Sequence, residues 1–377
     1  MRHRYALILI IGFSFLVHLH GLTSPLLDYH AHRQCQTASM ARNYARHDMH
    51  FLRPEIDTEG LPQRAGTEFP VYSYLLAVLF KFFGVHDILG RILSSIFAAW
   101  GAVFLYEFVR RRLDDVTALV SALVLCMIPV HIYFTRTVQP EPMALWGLLG
   151  FVLYLDRWMC SYAPADAVRA FVFGALAPLL KLNYLYLVLP LWLLIGWQHL
   201  HWRALRNITF LEIMTGIMVA VACWYQYARS AAVVLLPLSG KEHLENLRPI
   251  LTPGLWQAHF VSRLPELCLT YPGTVFAVTG AFALWKNGKA WMWGLWFLCT
   301  AVYILLLGNY GLIHRYTELP FAPVNAVFIA SGIVYLVGKA KKHKKWLMLL
   351  AALVLRQISF SGSYPKLFRA FDLLNLH

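Results

Sequence analysis

Charge is scarce in this chain: Asp, Glu, Lys and Arg make up 14% of its 377 residues, against roughly 25% in soluble domains. A water-exposed shell cannot be built from so little, and 59% of the sequence is hydrophobic. A soluble globular class is thereby excluded. The six cysteines (Cys35, Cys126, Cys160, Cys223, Cys268, Cys299) show no CxxC spacing, which argues against a zinc ribbon or disulfide framework. Internal repeats and low-complexity tracts are also lacking, which excludes a solenoid or a disordered chain. Acidic residues are few, and the formal net charge is +14. The basic residues lie between apolar runs, so the excess reads as membrane topology and not as a nucleic-acid surface.

What is present is apolar sequence in lengths suited to a bilayer. Runs lie near 5–22, 88–109, 115–132, 141–156, 168–181, 184–198, 209–227, 271–285, 290–307, 321–338 and 346–358. Threaded alternately, they predict about eleven spans of an all-α polytopic membrane protein. The first run ends in His-Leu-His-Gly-Leu without small cleavage-site residues, so it reads as a retained helix. On this threading Arg110–Arg112, Arg157, Arg169, Arg203, Arg206, Lys286, Lys289 and the 339–345 cluster fall inside. The short outside loops hold only Arg136, Lys181 and Arg315, an asymmetry that agrees with the positive-inside rule. The expected organisation is one membrane domain over 1–377 with no C-terminal soluble domain. Two external loops, about 23–87 and 228–270, are long enough to carry function. Within the first, Phe69–Phe83 is apolar but short, and predicts a helix lying in the interface.

Polar chemistry concentrates in that first loop, in Asp28-Tyr-His-Ala-His-Arg33-Gln34, then Thr37, Arg42 and Asn43, then Glu68-Phe-Pro70. Ionisable groups beside a bilayer are costly and invite a functional reading. Asp28 can accept a proton from a hydroxyl nucleophile while Arg33 holds an anionic leaving group; equally, it can cap a juxtamembrane helix. Glu68 either begins the interfacial helix, where the dipole favours a carboxylate, or points toward the same cleft as Asp28, with capping the expectation; Glu141 opens its span in the same favourable position, which points to a structural role. Lys181 stands alone between apolar runs and must snorkel or meet an anion. Arg136 and the His314-Arg315-Tyr316 segment add cations on the same predicted face, at the level of lipid phosphate. His30, His32, His47 and His50 can ligate a metal, though their spacing matches no standard zinc pattern. Asn207-Ile208-Thr209 fits a glycosylation sequon but falls on the inside face.

Taken together, Asp28 to Asn43, Glu68-Phe-Pro70-Val-Tyr72-Ser-Tyr74 and Phe83-Gly84-Val-His86-Asp-Ile-Leu-Gly90-Arg91 resemble the N-terminal region of GT-C membrane glycosyltransferases. The resemblance is to the branch of the protein O-mannosyltransferases and the aminoarabinose transferases acting on lipid A. It continues through Pro140-Glu141-Pro142 and, more weakly, to His314-Arg315-Tyr316 with Leu319-Pro320. It implies an inverting transfer of a sugar from a polyprenyl phosphate to a glycan, lipid or protein hydroxyl. That reaction would run on the external face of a membrane such as the bacterial inner membrane, facing the periplasm. By the same resemblance Asp28 is the catalytic base, while Arg33, Gln34, Lys181, Arg136, His314, Arg315 and Tyr316 serve the donor phosphate and sugar. Glu68, as the second catalytic carboxylate, and Glu141 position acceptor or sugar. The resemblance fixes no cofactor and leaves a divalent metal open. In many relatives the first loop has an adjacent Asp-Glu pair, whereas Tyr29 follows Asp28 here, so a pair-dependent mechanism does not carry over. Two other readings remain open at this point: a transporter or flippase of a lipid-linked substrate, expected to show polar or broken helices at the midplane, and a noncatalytic subunit of an envelope glycan assembly complex.

Overall fold

The computed structural model describes residues 2–19, 21–23, 25–26, 30–58, 61–66, 68–232, 234–235, 250 and 252–340. Asp28, the charged residues Lys241, Glu242, Glu245 and Arg248, the 341–345 basic cluster and the apolar run 346–358 lie outside them.

Ten of the eleven apolar runs fall within the described residues, residue 20 excepted, and each is helical, the run 115–132 as two helices broken at Ile128. Their boundaries follow local chemistry. Helix α1 covers Arg2–His18, and α2 (Ala31–Arg46) follows it after His30, which takes a left-handed conformation at φ 60°. Strands β1 (Glu55–Thr58) and β2 (Leu61–Gly66) pair antiparallel, and α3 is Val71–Phe83. Helix α4 (Asp87–Arg112) places an aspartate in its first turn and three arginines in its last, matching the helix dipole at both ends. Helix α5 (Asp115–Met127) starts where the Asp114 carboxylate accepts from the Val116 and Thr117 amides, and α6 is Pro129–Phe134. Prolines in the first turn begin α7 (Glu141–Ser161) and α8 (Pro164–Leu180). Helix α9 is Leu185–Leu200 and α10 is Ile208–Ala231. The Asn207 side-chain Oδ1 accepts from the Phe210 amide, so the sequon asparagine is occupied as a helix cap. Strand β3 (Val234–Leu235) adds parallel to β2, giving a small sheet of order β1-β2-β3 that the hydropathy pattern did not indicate.

Beyond it, α11 (Pro253–Trp256) runs on as a π-helix over Gln257–Leu269, followed by α12 (Tyr271–Lys286) after a bend of 97°. Helices α13 (Ala290–Ile313) and α14 (Phe321–Ala340) complete the described chain. Among the described residues five helices are long and apolar enough to cross a bilayer, or six with the bent pair counted as one span. The chain is thus an integral membrane protein of the all-α polytopic class.

The chain divides into two compact units. One comprises 1–17, 102–133 and 245–377, and in it α12 packs on α14 and α14 on α5. Glycine makes the first of these contacts possible: a Cβ at Gly280 would overlap the Phe328 carbonyl, and one at Gly332 the Phe276 carbonyl. Such close backbone approach through small residues is how helices gain dispersion energy where lipid offers no hydrophobic incentive to associate. The other unit comprises 18–101 and 134–244, built on α7 against α8 and α2 against α3. Of its spanning helices, α7 is 78% buried over its apolar window and α10 only 33%, so α7 forms its core and α10 keeps an apolar face for lipid.

Candidate active site

Four charged side chains from distant parts of the sequence meet in the second unit. Arg33, in the first turn of α2, forms an ion pair with Glu68, which lies just before α3. The Lys181 ammonium, at the end of α8, stands 2.5 Å from a carboxylate oxygen of Glu141, the first residue of α7. The two pairs are joined through backbone, because the Phe69 amide donates to the Leu179 carbonyl at 2.8 Å. All four are well shielded: Lys181 is 9% exposed and Glu141 1%, and the side chains of Arg33 and Glu68 are 16% and 15% exposed. Buried charges are tolerable only when paired, which is what the arrangement supplies.

The proximity also fixes protonation. Burial pushes the Glu68 carboxyl up, but the Arg33 guanidinium, and beyond it Lys181, outweigh burial and hold it below the usual carboxylate range. A depressed folded-state value contributes stability that is complete above the unfolded carboxyl's value of about 4.3 and disappears as pH falls through the folded value. The thermal midpoint of wild type in detergent should therefore exceed that of Glu68→Gln by a constant margin above about pH 4.3, and the margin should shrink in stronger acid. A margin that is flat or widening on acidification would remove the ionised Glu68 from this account.

The sequence reading of Glu68 as a helix cap is corrected. The N-cap of α3 is Pro70, which has no side-chain cap, and Glu68 is drawn away to Arg33. A charge-assisted contact with a guanidinium is stronger than hydrogen bonds to the neutral amides of a helix end. Glu141 does begin α7 as expected, yet its carboxylate is committed to Lys181. Arg136 is not a surface cation: it is 4% exposed, with its guanidinium packed on Gly21, whose φ of 80° suits glycine alone. Gln34 is fully buried, and its Oε1 accepts from the Val138 amide at 3.1 Å.

Arg91 is a contributor whose role was not visible in the sequence beyond its place in a motif. It is fully buried within α4, and its Nη2 donates to the Pro25 carbonyl at 2.8 Å and Nη1 to the Arg136 carbonyl at 3.5 Å. The chain leading toward Asp28 is thereby tied at Pro25, and the His30 carbonyl beyond it accepts from the Arg33 and Gln34 amides. Below this, the Tyr72 hydroxyl donates to the Gly90 carbonyl and shares a 2.7 Å hydrogen bond with Ser94. Ser94 in turn donates to the Thr137 carbonyl at 2.6 Å, so α3, α4 and the turn before α7 are held by one polar network.

The His314-Arg315-Tyr316 segment belongs to the other unit. His314 lies between aromatic rings, stacked on Tyr316 at 5.2 Å and tilted against Tyr310 at 4.4 Å. The Tyr310 and Tyr316 hydroxyls are 2.6 Å apart. Arg315, half-buried, opens a short 3₁₀ turn that ends at Glu318. Glu318 is fully buried and meets Nδ1 of His259 in the π-helix at 2.5 Å, a buried hydrogen bond the sequence did not signal. Among the described residues the first-loop histidines form no ligand cluster: His32 meets Gln36, and His47 meets Glu55. The one group with metal-binding geometry among them is Asp156, Cys160 and His199.

Comparison with known proteins bears on these observations. Residues 66–227 match the sequence pattern of the family described as dolichyl-phosphate-mannose-protein mannosyltransferase. No curated protein shows significant sequence similarity to the chain. Among solved structures, ArnT from Cupriavidus metallidurans bound to undecaprenyl phosphate is matched with a TM-score of 0.60 and 14% identity, over 92% of this chain and 63% of ArnT. An oligosaccharyltransferase from Archaeoglobus fulgidus, in its apo form, is matched at 0.56 and 12% identity, over 96% of this chain and 56% of that protein. The archaeal oligosaccharyltransferase AglB from the same organism, in complex with an inhibitory peptide and a dolichol-phosphate, is matched at 0.56 and 10% identity, over 97% and 55%. The chain therefore spans under two thirds of the length of each. At such low identity the likeness is one of fold: the chain shares the fold of ArnT and of the archaeal oligosaccharyltransferases, and its residues 66–227 carry the pattern of the family described as dolichyl-phosphate-mannose-protein mannosyltransferase.

Proposed function

We propose that the chain is an inverting glycosyltransferase that moves a sugar from a polyprenyl-phosphate donor to a hydroxyl of a glycan, lipid or protein on the external face of the membrane. The observation that carries this reading is the gathering of Arg33, Glu68, Lys181 and Glu141 into one shielded cluster. It lies within the same unit as the chain on both sides of Asp28. Asp28 precedes His30 by two residues, a reach of about 7 Å at most. ArnT and AglB, which share the fold, hold undecaprenyl phosphate and dolichol-phosphate, and AglB a peptide as well. A lipid phosphate donor fits the cations here for the same chemical reason.

In the proposed step Asp28 takes the proton of the acceptor hydroxyl as that oxygen attacks the anomeric carbon. The carbon–oxygen bond to phosphate breaks on the opposite face, and polyprenyl phosphate departs with the electron pair. Phosphate is already a competent leaving group, so the protein's task is to offset its growing charge and to orient the reactants. Arg33 and Lys181 are suited to the first because Glu68 and Glu141 hold them in fixed positions. The carboxylates also prevent the two cations from repelling each other before the donor arrives. Gln34 and Arg136, buried in the same unit, shape the surroundings of the two cations, and the proposed location is the periplasmic face of a bacterial inner membrane.

The test is a transfer assay with the full chain in detergent, radiolabelled polyprenyl-phosphate sugars and a membrane extract as acceptor source. Transfer of label from at least one donor, with inverted configuration in the product, is expected. Donor binding without transfer across a broad panel would favour the transporter reading, and neither binding nor transfer would favour the subunit reading.

A further inference from the structure

We propose that Asp156, Cys160 and His199 form a binding site for a single thiophilic divalent cation of the zinc class, tying the end of α7 to the end of α9. It is separate from the candidate active site. Asp156 lies fifteen residues beyond Glu141 on the same helix, about 22 Å away at 1.5 Å per residue.

Three features of the geometry favour a cation. First, the donors are complementary in kind: a carboxylate oxygen, a thiol sulfur and an imidazole nitrogen, all lying within 4.8 Å of one another. This is the mixed hard and soft set that zinc accepts and that magnesium or calcium does not. Second, two members already have the spacing. Oxygen and nitrogen ligands of one tetrahedral zinc stand about 3.3 Å apart, and His199 Nε2 is 3.0 Å from Asp156 Oδ1. Cys160 follows Asp156 by four residues, which places both on one face of α7. Third, the field has the right sign. Cys160 and His199 both sit in the last turn of their helices, where the unpaired carbonyls carry partial negative charge, so two helix C-termini favour a cation.

Arg157 and Arg169, cations near this end of α7, are both drawn to Asp166, at 3.3 and 3.0 Å, and lie over the Tyr154 ring. Access is also suitable: Asp156 is 1% exposed and closes the inner side, His199 is partly covered, and Cys160 is exposed. Three protein ligands leave a fourth tetrahedral position for water. The competing account is an Asp156–His199 ion pair with an unrelated cysteine nearby, and the two accounts differ in what cobalt would report.

Full-length protein in detergent would be stripped with chelator and titrated with Co²⁺, then with Zn²⁺. One Co²⁺ per chain should bind with a near-ultraviolet thiolate-to-cobalt charge-transfer band and intense visible bands of tetrahedral geometry, and Zn²⁺ should displace it. Cys160→Ser, at an exposed position where the change leaves the packed core untouched, should abolish the charge-transfer band. His199→Gln should weaken binding by more than the roughly 10–100-fold that loss of an outer-shell partner costs. Cys35→Ser, at an exposed cysteine of the first loop, should change neither. Absence of the band in wild type, its persistence in Cys160→Ser, or its loss in Cys35→Ser instead would overturn the proposal.

Discussion

Replacement of Asp28 by Asn should leave donor binding within experimental error and lower the rate of sugar transfer by about 10²-fold or more, the loss typical of a missing general base. In free-energy terms that is at least about 2.7 kcal/mol of transition-state stabilisation. The split between binding and turnover is the informative quantity. Asparagine keeps the shape and much of the hydrogen bonding of aspartate, but cannot take the acceptor proton, so only the chemical step should suffer. A cap or a positioning contact would instead be largely preserved by asparagine, which is itself a good N-cap. The measurement is donor affinity alongside single-turnover transfer. An Asp28→Asn variant that turns over like wild type would move the base elsewhere, with Glu68 the next carboxylate to test.

Lys181→Met should be the most damaging change to stability. It would leave Glu141, 1% exposed at the head of α7, without its countercharge, and breaking a buried pair from one side costs about 3–5 kcal/mol. Methionine matches most of the length and apolar stem of lysine, so packing loss is minimised and the charge effect is isolated. The double variant Lys181→Met with Glu141→Gln should recover most of that loss, since neither partner is then left as a buried unpaired charge. Thermal midpoints of the two single variants and the double variant would decide it. Recovery of stability without recovery of transfer is the expected pattern, because the proposed phosphate contact would still be missing. If Lys181→Met is as stable as wild type, the ammonium is snorkelling and the pair is incidental.

The membrane class, the helical runs and many of their ends could be read from the chain because each depends on neighbours in sequence. Pro140-Glu141-Pro142 announces the start of α7, and Asp87 with Arg110–Arg112 brackets α4, by rules that act within a turn or two. The same local logic placed α3 within the first loop, as a helix of 13 residues too short to span. It failed for Glu68. A carboxylate three residues before a helix reads as a dipole partner, and nothing local reveals an arginine 35 residues upstream. It failed similarly for Arg136, whose basic character suggests a lipid-facing cation until Gly21 and the helices around it enclose it. The small β-sheet escaped because strands of four, six and two residues carry too little alternation to register in a hydropathy pattern.

By itself, then, the sequence determined the solvent this protein lives in and the helices that solvent requires. Those follow from transfer free energies and backbone hydrogen bonding, which sum over contiguous residues. Only the tertiary structure decided which charges meet. Arg33 with Glu68, Lys181 with Glu141, and Asp156 and Cys160 with His199 come from separate elements, and Coulomb energy depends on distance in space rather than along the chain. In a low-dielectric setting that distance determines whether a charge is a penalty or a functional group.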